Sequence, residues 1–338
     1  MEPTAPTPTS PPLAGATRIV SPFGARSTAL EVLDGISLQG RHAIVTGGAA
    51  GLGLETSRAL ASAGASVTLA VRNLVQGEAS ATLLRQQFPH SEVAVLQLDL
   101  ANLASVRRCA DTWIQGGRPL HILVNNAAIM ACPLTRTADG WELQFATNHV
   151  GHFALTQALM PALQAAADAC GDARVVCLSS SGHKLSTVVL DDIHFEHRPY
   201  DKWKAYGQAK SANALFALGL HQRHGGHGIT ANAVHPGGIM TGLQKFLPTE
   251  EMRALGWFKD DGTPLDLFKN PAQGASTSVW AATSPALAGR GGLYLEDCRQ
   301  GEPAEPGNRI SGHAPHIMDT ALAGRLWEAT EHMLAAAA

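Results

Sequence analysis

The stretch Thr46-Gly47-Gly48-Ala49-Ala50-Gly51-Leu52-Gly53 follows the apolar run His42-Ala43-Ile44-Val45 and constrains this chain more than any other. A short buried strand ends at Thr46 and a helix opens near Leu52. The glycines between them permit tight backbone angles and let another group approach the main chain closely. Free N–H groups at the new helix start, with the helix dipole behind them, make a site for an anion such as a pyrophosphate. The spacing is Gly-x-x-x-Gly-x-Gly, which departs from the Gly-x-Gly-x-x-Gly of most dinucleotide-binding turns.

From Arg41 onward strand and helix patterns alternate, which predicts a parallel sheet with helices on both faces. The strands are expected at His42–Thr46, Ser66–Val71, Val93–Leu98, His121–Val124, Arg174–Leu178, Ile229–Val234 and Leu293–Leu295. Most are rich in Val, Leu, Ile and Ala, as strands covered on both faces are. Helices are expected at Leu52–Ala63, Leu74–Gln87, Leu103–Gln115, Gly140–Gln164, Ala205–Arg223, Ala272–Thr283 and Asp319–Met333, each with apolar residues at helical steps. The fold class is therefore α/β: a single doubly wound Rossmann-type domain with a seven-stranded parallel sheet. Ligand is expected beyond the strand C-termini, at the switch point. The domain spans residues 25–338, with a short helix within Ser27–Ile36, and residues 1–24 form a disordered tail. The start of that tail is rich in Pro, Thr, Ser and Ala.

A hydrophobic content of 45% with 16% charged residues describes a well-cored protein. A net charge of −3 gives no footprint for nucleic acid or an anionic membrane. Cys109, Cys132, Cys170, Cys177 and Cys298 are odd in number and scattered, which suits free thiols in a reducing compartment. The start Met1-Glu2-Pro3-Thr4 lacks the pattern of a secretory signal, and no apolar run reaches the roughly 18 residues of a membrane helix. A cytoplasmic protein without stable membrane insertion is expected.

Polar residues gather where the predicted strands end. Strand two ends in Ala70-Val71-Arg72-Asn73, with no acid to receive a ribose hydroxyl and with Arg72 in its place. A guanidinium suits the 2′-phosphate of NADP, although an Arg at a helix start also occurs simply solvated. Asp99 ends strand three, where its carboxylate either faces an adenine amino group or caps the helix that follows. Asn125-Asn126-Ala127-Ala128 ends strand four, its amides satisfying backbone or lining a ligand site. Asn148 sits inside a helical pattern, a position that calls for a reason such as a local kink or a bound water. Strand five runs into Ser179-Ser180-Ser181-Gly182-His183. Tyr206-Gly207-Gln208-Ala209-Lys210 then opens a helix, its i,i+4 spacing setting phenol and ammonium on one face, a turn apart.

The Gly loop, the mid-helix Asn, the strand-five Ser and Tyr-x-x-x-Lys occur in the order of the short-chain dehydrogenase/reductase family, which the chain resembles over about residues 40 to 300. The resemblance implies that Tyr206 is the general acid/base, that Lys210 lowers its pKa and holds the nicotinamide ribose, and that Ser180 orients the substrate oxygen. Ser179 and Ser181 are the alternatives to Ser180. Asn148 matches the relay residue that holds a water behind Lys210. The implied cofactor contacts are Thr46, Gly47, Gly51, Leu52, Gly53, Arg72, Asp99, Leu100, Asn125, Ala127, Tyr206, Lys210, Pro236, Gly237, Ile239 and Thr241. Ala128 stands where the family carries Gly. Tyr-Gly-Gln-Ala-Lys, His-Pro-Gly-Gly and Thr-Asn-His-Val-Gly-His-Phe are similar to the retinol-dehydrogenase and protochlorophyllide-reductase-like branch.

The reaction so implied is NADP(H)-dependent hydride transfer between nicotinamide and an apolar alcohol or ketone, with NAD the less favoured cofactor. A phenol of pKa near 10 is a poor base at neutral pH, and neighbouring positive charge lowers that value. Carbon–carbon double-bond reduction and a non-catalytic NADP sensor or scaffold are the alternatives. The gap between Ser180 and Tyr206 suggests a substrate-side insertion carrying Phe195, Tyr200 and Trp203. An apolar stretch (Leu243, Phe246, Leu247, Met252, Leu255, Trp257, Phe258) reads as a substrate lid around residues 239–270. The pairs His149/His152, His194/His197, His224/His227 and His313/His316 lack a third ligand at zinc-like spacing, so no metal is expected. Apolar surplus on the helices after Gly140 and Ala205 suggests a homodimer or homotetramer.

Overall fold

The computed structural model describes residues 18–337. Eight strands form one sheet in the order β3-β2-β1-β4-β5-β6-β7-β8. They are β1 His42–Thr46, β2 Ser66–Val71, β3 Val93–Gln97, β4 Ile122–Asn125, β5 Ala173–Leu178, β6 Ile229–His235, β7 Tyr294–Glu296 and β8 Arg299–Gln300. The first seven are parallel, and the chain reverses direction across the sheet between β1 and β4, where Ala43 sits opposite Ile122. Every residue of β4, β5 and β6 is buried, as continuous apolar runs require when both sheet faces are covered.

The eighth strand, antiparallel to β7, corrects the expectation of seven. Its turn uses Asp297 and Cys298 at φ of 49° and 55°, the left-handed pair that a two-residue hairpin needs. No glycine marks that turn, so the sequence does not announce it. The chain ahead of the domain continues the ordering: Gln300 N–H donates to Ile19 O at 2.9 Å, and Ser21 Oγ donates to Cys298 O at 2.7 Å. Residues 18–24, expected as tail, therefore lie along the sheet's open edge, with Ile19 buried. The rest of the expected tail lies outside the described residues.

Eleven helices pack around the sheet among the described residues: α1 Gly51–Ser62, α2 Leu74–Gln87, α3 Leu103–Gln115, α4 Leu143–Phe145, α5 Gly151–Ala158, α6 Met160–Cys170, α7 Lys202–His224, α8 Thr249–Ala254, α9 Pro271–Gly274, α10 Ser276–Thr283 and α11 Thr320–Ala336. The helix expected over Gly140–Gln164 is three helices, with a π-helical turn at Ala146–Val150 between α4 and α5. Asn148 lies in that turn, so the kink supplies the reason its position calls for. The short helix expected within Ser27–Ile36 is one 3₁₀ turn, Glu31–Leu33, with Val32 and Leu33 buried. One core, with Leu60, Leu69 and Trp280, lies under α1 and α10. Another, with Trp113, Phe153 and Trp327, lies under α3 and α5.

Every residue of α7 from Ala205 to Leu220 is buried. Its surplus apolar surface is covered by α11, whose Leu322, Ala323 and Leu326 pack in one cluster with Leu215 and Leu218. The part of the surface that suggested a homodimer or homotetramer contributed by α7 is thus covered from within the chain. Among the described residues no helix is long and apolar enough to cross a membrane.

Trp327 is the anchor of α11: its ring lies 4.8 Å from Phe153 and 5.8 Å from Phe216, with Arg223 over its face at 4.2 Å. Trp327→Ala is expected to cost about 3–5 kcal/mol of stability, read from urea unfolding. A loss below about 1 kcal/mol would show that α11 contributes little to the fold.

Candidate active site

The Gly loop is held by the Thr46 hydroxyl. Its Oγ1 accepts from the N–H groups of Asn126 at 2.8 Å and Ala127 at 2.9 Å. His152 Nδ1 donates to Asn148 O at 2.9 Å, which leaves Nε2 as the acceptor for the Thr46 hydroxyl at 2.8 Å. Burial holds His152 well below its usual pKa, at about 4, so the ring is neutral as this arrangement needs. Asn126 Nδ2 also donates to Thr46 O at 2.8 Å. Asn126, His152 and the π turn are the parts of the site that the sequence reading left out of its residue set. Their signal was Asn126 beside Asn125, and a His one helical turn after Asn148.

Above this brace the loop is stripped of side chains for steric reasons. A Cβ on Gly53 would stand 2.2 Å from Gly47 O, and Gly47 has a φ of 65° that L side chains rarely adopt. The start of α1 has no side-chain cap, since Ala50 precedes it. Its orphan N–H groups, opening beside Gly51, make a cradle that fits the pyrophosphate of a dinucleotide. Thr241 faces this cradle: a Cβ on Gly51 would lie 3.6 Å from the Thr241 Cβ.

The remaining expected cofactor residues fall into two groups. Arg72 is exposed at the end of β2 and, among the described residues, makes no hydrogen bond or ion pair. Its neighbour Asn73 caps α2 by accepting from Gln76 N. Pro236, Gly237 and Ile239 follow β6, beside the loop. Asn125, by contrast, is buried and donates to Thr156 Oγ1 at 3.0 Å, so its side chain serves the core. Asp99 accepts from Ala101 N at 3.0 Å, bracing its own turn, while Asn102 caps α3. Leu100 packs under the π turn, where a Cβ on Gly151 would come 2.3 Å from Leu100 O.

On the far side of the switch point, the start of α7 brings Tyr206 and Lys210 beneath β5. The Lys210 Nζ donates to Leu178 O at 3.0 Å and lies 5.6 Å from the centre of the Tyr206 ring. The Asn148 side chain closes a double bond with Ile129, its Oδ1 accepting from N–H and its Nδ2 donating to O, both at 2.9 Å. Of the three serines, Ser180 is the one whose hydroxyl hydrogen-bonds the Tyr206 phenol. Ser179 is buried and donates to Lys210 O at 2.8 Å, which fixes helix to strand.

Burial governs the charges. It pushes the Tyr206 phenol up to about 12, against the Ser180 hydrogen bond that lowers it. The lowering expected from Lys210 together with a positive nicotinamide is not among the causes acting on this phenol, which are burial and Ser180. Burial moves Lys210 the other way, down to about 8. Each group is displaced toward its neutral form.

Apolar side chains roof the phenol. Met130, Ala131 and Leu247 are buried against Tyr206, with Trp203, Leu243, Met252 and Trp257 packed around them. The segment over residues 239–270 closes on itself through pairing of Ile239 with Lys269. Its tip is fastened to α7 by Glu251, which accepts from Lys202 Nζ at 2.6 Å and Trp203 Nε1 at 3.3 Å. Of the residues expected to form a substrate-side insertion, Trp203 joins this roof. Phe195 and Tyr200 instead pack on each other, and Tyr200 donates to Cys132 O at 2.9 Å.

The family model described as short chain dehydrogenase matches residues 41–252. A protein of Streptomyces lividans named "Probable oxidoreductase" is 48% identical over 303 residues, covering 87% of this chain and 97% of that one. Mouse retinol dehydrogenase 12 is 37% identical, covering 78% of this chain and 80% of its own. Among solved structures, the Pseudomonas aeruginosa RhlG/NADP active-site complex superposes with a TM-score of 0.60 at 26% identity, covering 77% of this chain and 95% of that one. With the loop, the parallel sheet and the Tyr206–Lys210 pair already placed, these likenesses identify the chain as a member of the short-chain dehydrogenase/reductase family of NAD(P)-dependent oxidoreductases.

Proposed function

We propose that the chain is an NADP(H)-dependent alcohol dehydrogenase or carbonyl reductase acting on an apolar substrate. The observation that carries this reading is a buried phenol, Tyr206, bonded to Ser180, flanked by Lys210 and roofed by apolar side chains. A bound nicotinamide supplies or takes the hydride. Ser180 and Tyr206 present two hydroxyls to one substrate oxygen. With its phenol held at about 12, Tyr206 keeps its proton at neutral pH and gives it to the oxygen as a ketone is reduced. Ser180 donates a hydrogen bond that strengthens as negative charge develops there. Lys210, protonated below about 8, holds positive charge beside the phenol. The roof excludes water and favours a lipophilic substrate. The unpartnered guanidinium of Arg72 suits the 2′-phosphate that NAD lacks, and RhlG is a relative of similar fold whose complex holds NADP.

Tyr206→Phe is expected to lower ketone reduction about 100- to 10,000-fold while leaving NADPH affinity within a few-fold, because the phenol faces the substrate oxygen. Retention of more than about a tenth of wild-type turnover, measured as NADPH oxidation, would remove Tyr206 from the acid/base role.

Arg72→Ala is expected to weaken NADP about 10- to 150-fold, the worth of a charged hydrogen bond, and to leave NAD nearly unchanged. Fluorescence titration with both cofactors reads this directly. Equal wild-type affinities that the substitution does not alter would leave Arg72 as a solvated helix-start residue.

A further inference from the structure

Ser180 is not held by its own strand alone. The turn that carries it, Ser180 to His183, wraps the Tyr206 ring, and a Cβ on Gly182 would come 2.9 Å from Tyr206 Cε1. Gly182 N–H donates to Ser180 Oγ at 3.0 Å, so the hydroxyl is fixed from within the turn. The Ser180 carbonyl is fixed from outside it. It accepts from the His183 backbone N–H at 3.1 Å and lies 2.5 Å from His183 Nδ1.

The other ring nitrogen settles the direction of that second bond. Ala314 N–H donates to His183 Nε2 at 3.0 Å, so Nε2 is an acceptor and the proton resides on Nδ1. His183 is fully buried, and burial holds the imidazole neutral, at about 3. A neutral ring with one donor and one acceptor thus joins two backbone groups, Ala314 N and Ser180 O.

Ala314 belongs to a segment clamped onto the same turn at neighbouring points. Lys184 Nζ donates to Asn308 O at 3.0 Å and to Ser311 O at 2.5 Å. Gly312 N–H donates to the Glu296 carboxylate at 2.8 and 3.0 Å. His316 Nε2 shares a hydrogen bond of 2.9 Å with Ser211 Oγ, one residue beyond Lys210 in α7.

We propose that His183 is a positioning residue for the reaction, through which the C-terminal segment 308–316 holds Ser180 in line with the Tyr206 phenol. The inference rests on the reading of Ser180 and Tyr206 given above. His183 touches no reacting atom. It fixes the Ser180 peptide by bonding its carbonyl, and of these two residues only Ser180 meets the substrate oxygen.

The test is a double-mutant cycle in ketone reduction with NADPH, using His183→Phe, Ser180→Ala and the pair. His183→Phe is expected to lower kcat about tenfold, a fraction of the effect of deleting an oxyanion donor, with KM for NADPH little changed. In the Ser180→Ala background the same substitution is expected to add less than about twofold, because the group it acts through is gone. His183→Asn keeps a side-chain donor toward the Ser180 carbonyl and is expected to recover most of the loss.

Ala314→Pro approaches the bond from the other end. Ala314 already has a φ of −76°, which proline adopts, so the change keeps the backbone angle, deletes the N–H and sets the ring Cδ against His183 Nε2 in its place. It is expected to lower kcat in the same direction, and it carries the test if His183→Phe does not fold. If Ser180→Ala leaves kcat intact, the reading of Ser180 fails and this inference with it. If Ser180→Ala lowers kcat but His183→Phe multiplies the loss independently, or Ala314→Pro changes nothing, the coupling through His183 is overturned while the reading of Ser180 stands.

Discussion

The Thr46 hydroxyl is the contact on which the two halves of the site depend. It receives two N–H groups from the end of β4 and gives its proton to His152, whose other nitrogen binds the Asn148 carbonyl. Thr46 and His152 are buried, and an unpartnered buried polar group costs about 1–3 kcal/mol. A valine at this position would preserve the strand and orphan three partners at once. The brace fixes the Gly loop relative to β4 and, through His152, relative to the π turn that carries Asn148. The brace thus ends on the π turn, whose Asn148 carbonyl accepts from His152 Nδ1.

Desolvation, more than the mutual charge of Tyr206 and Lys210, displaces both groups. Each is displaced toward neutrality, yet the phenol value of about 12 stays above the ammonium value of about 8. At neutral pH the pair is therefore a neutral phenol beside a cationic lysine, the form that donates a proton. The reverse reaction needs the phenolate, which burial opposes. Additional positive charge placed near the phenol is the physical means of reaching it.

Much of this was legible in the sequence because the signals are local. The expected bounds of α2 and α3 are those observed, since Asn73 and Asn102 cap them and the apolar steps run unbroken between. Tyr206 and Lys210 needed only their spacing and an α-helix. What was not legible depends on contacts distant in sequence. Resemblance sets Ser180 ahead of Ser179, whereas the bond from Ser179 to Lys210 O was not legible, and residues 18–24 are placed only by a strand some 280 residues away. The β7–β8 turn hid because it places Asp297 and Cys298, not glycine, in the left-handed region. The burial that acts on the Tyr206 phenol was not legible, because sequence shows which charges are near, not how deeply a phenol is buried.

The roof over Tyr206 is fastened unevenly, and the unevenness follows from burial. At its base Lys269 pairs with Asp297 at 2.6 Å, with the lysine side chain only 5% exposed. Lys269 N–H also donates to Gly238 O at 2.8 Å, and Arg26 from the chain's N-terminal side donates to Phe268 O at 3.1 Å. At the tip, Glu251 meets Lys202 with both side chains about 30% exposed, at 29% and 32%. A half-exposed pair contributes about 0–1 kcal/mol, whereas breaking a buried one strands a charge and costs about 3–5 kcal/mol. Displacement of the roof therefore meets less resistance at the Glu251 end than at the Lys269 end. The apolar contacts of Leu247, Met252 and Trp257 are what the tip would lose on moving from Tyr206, and only another apolar surface would restore their burial.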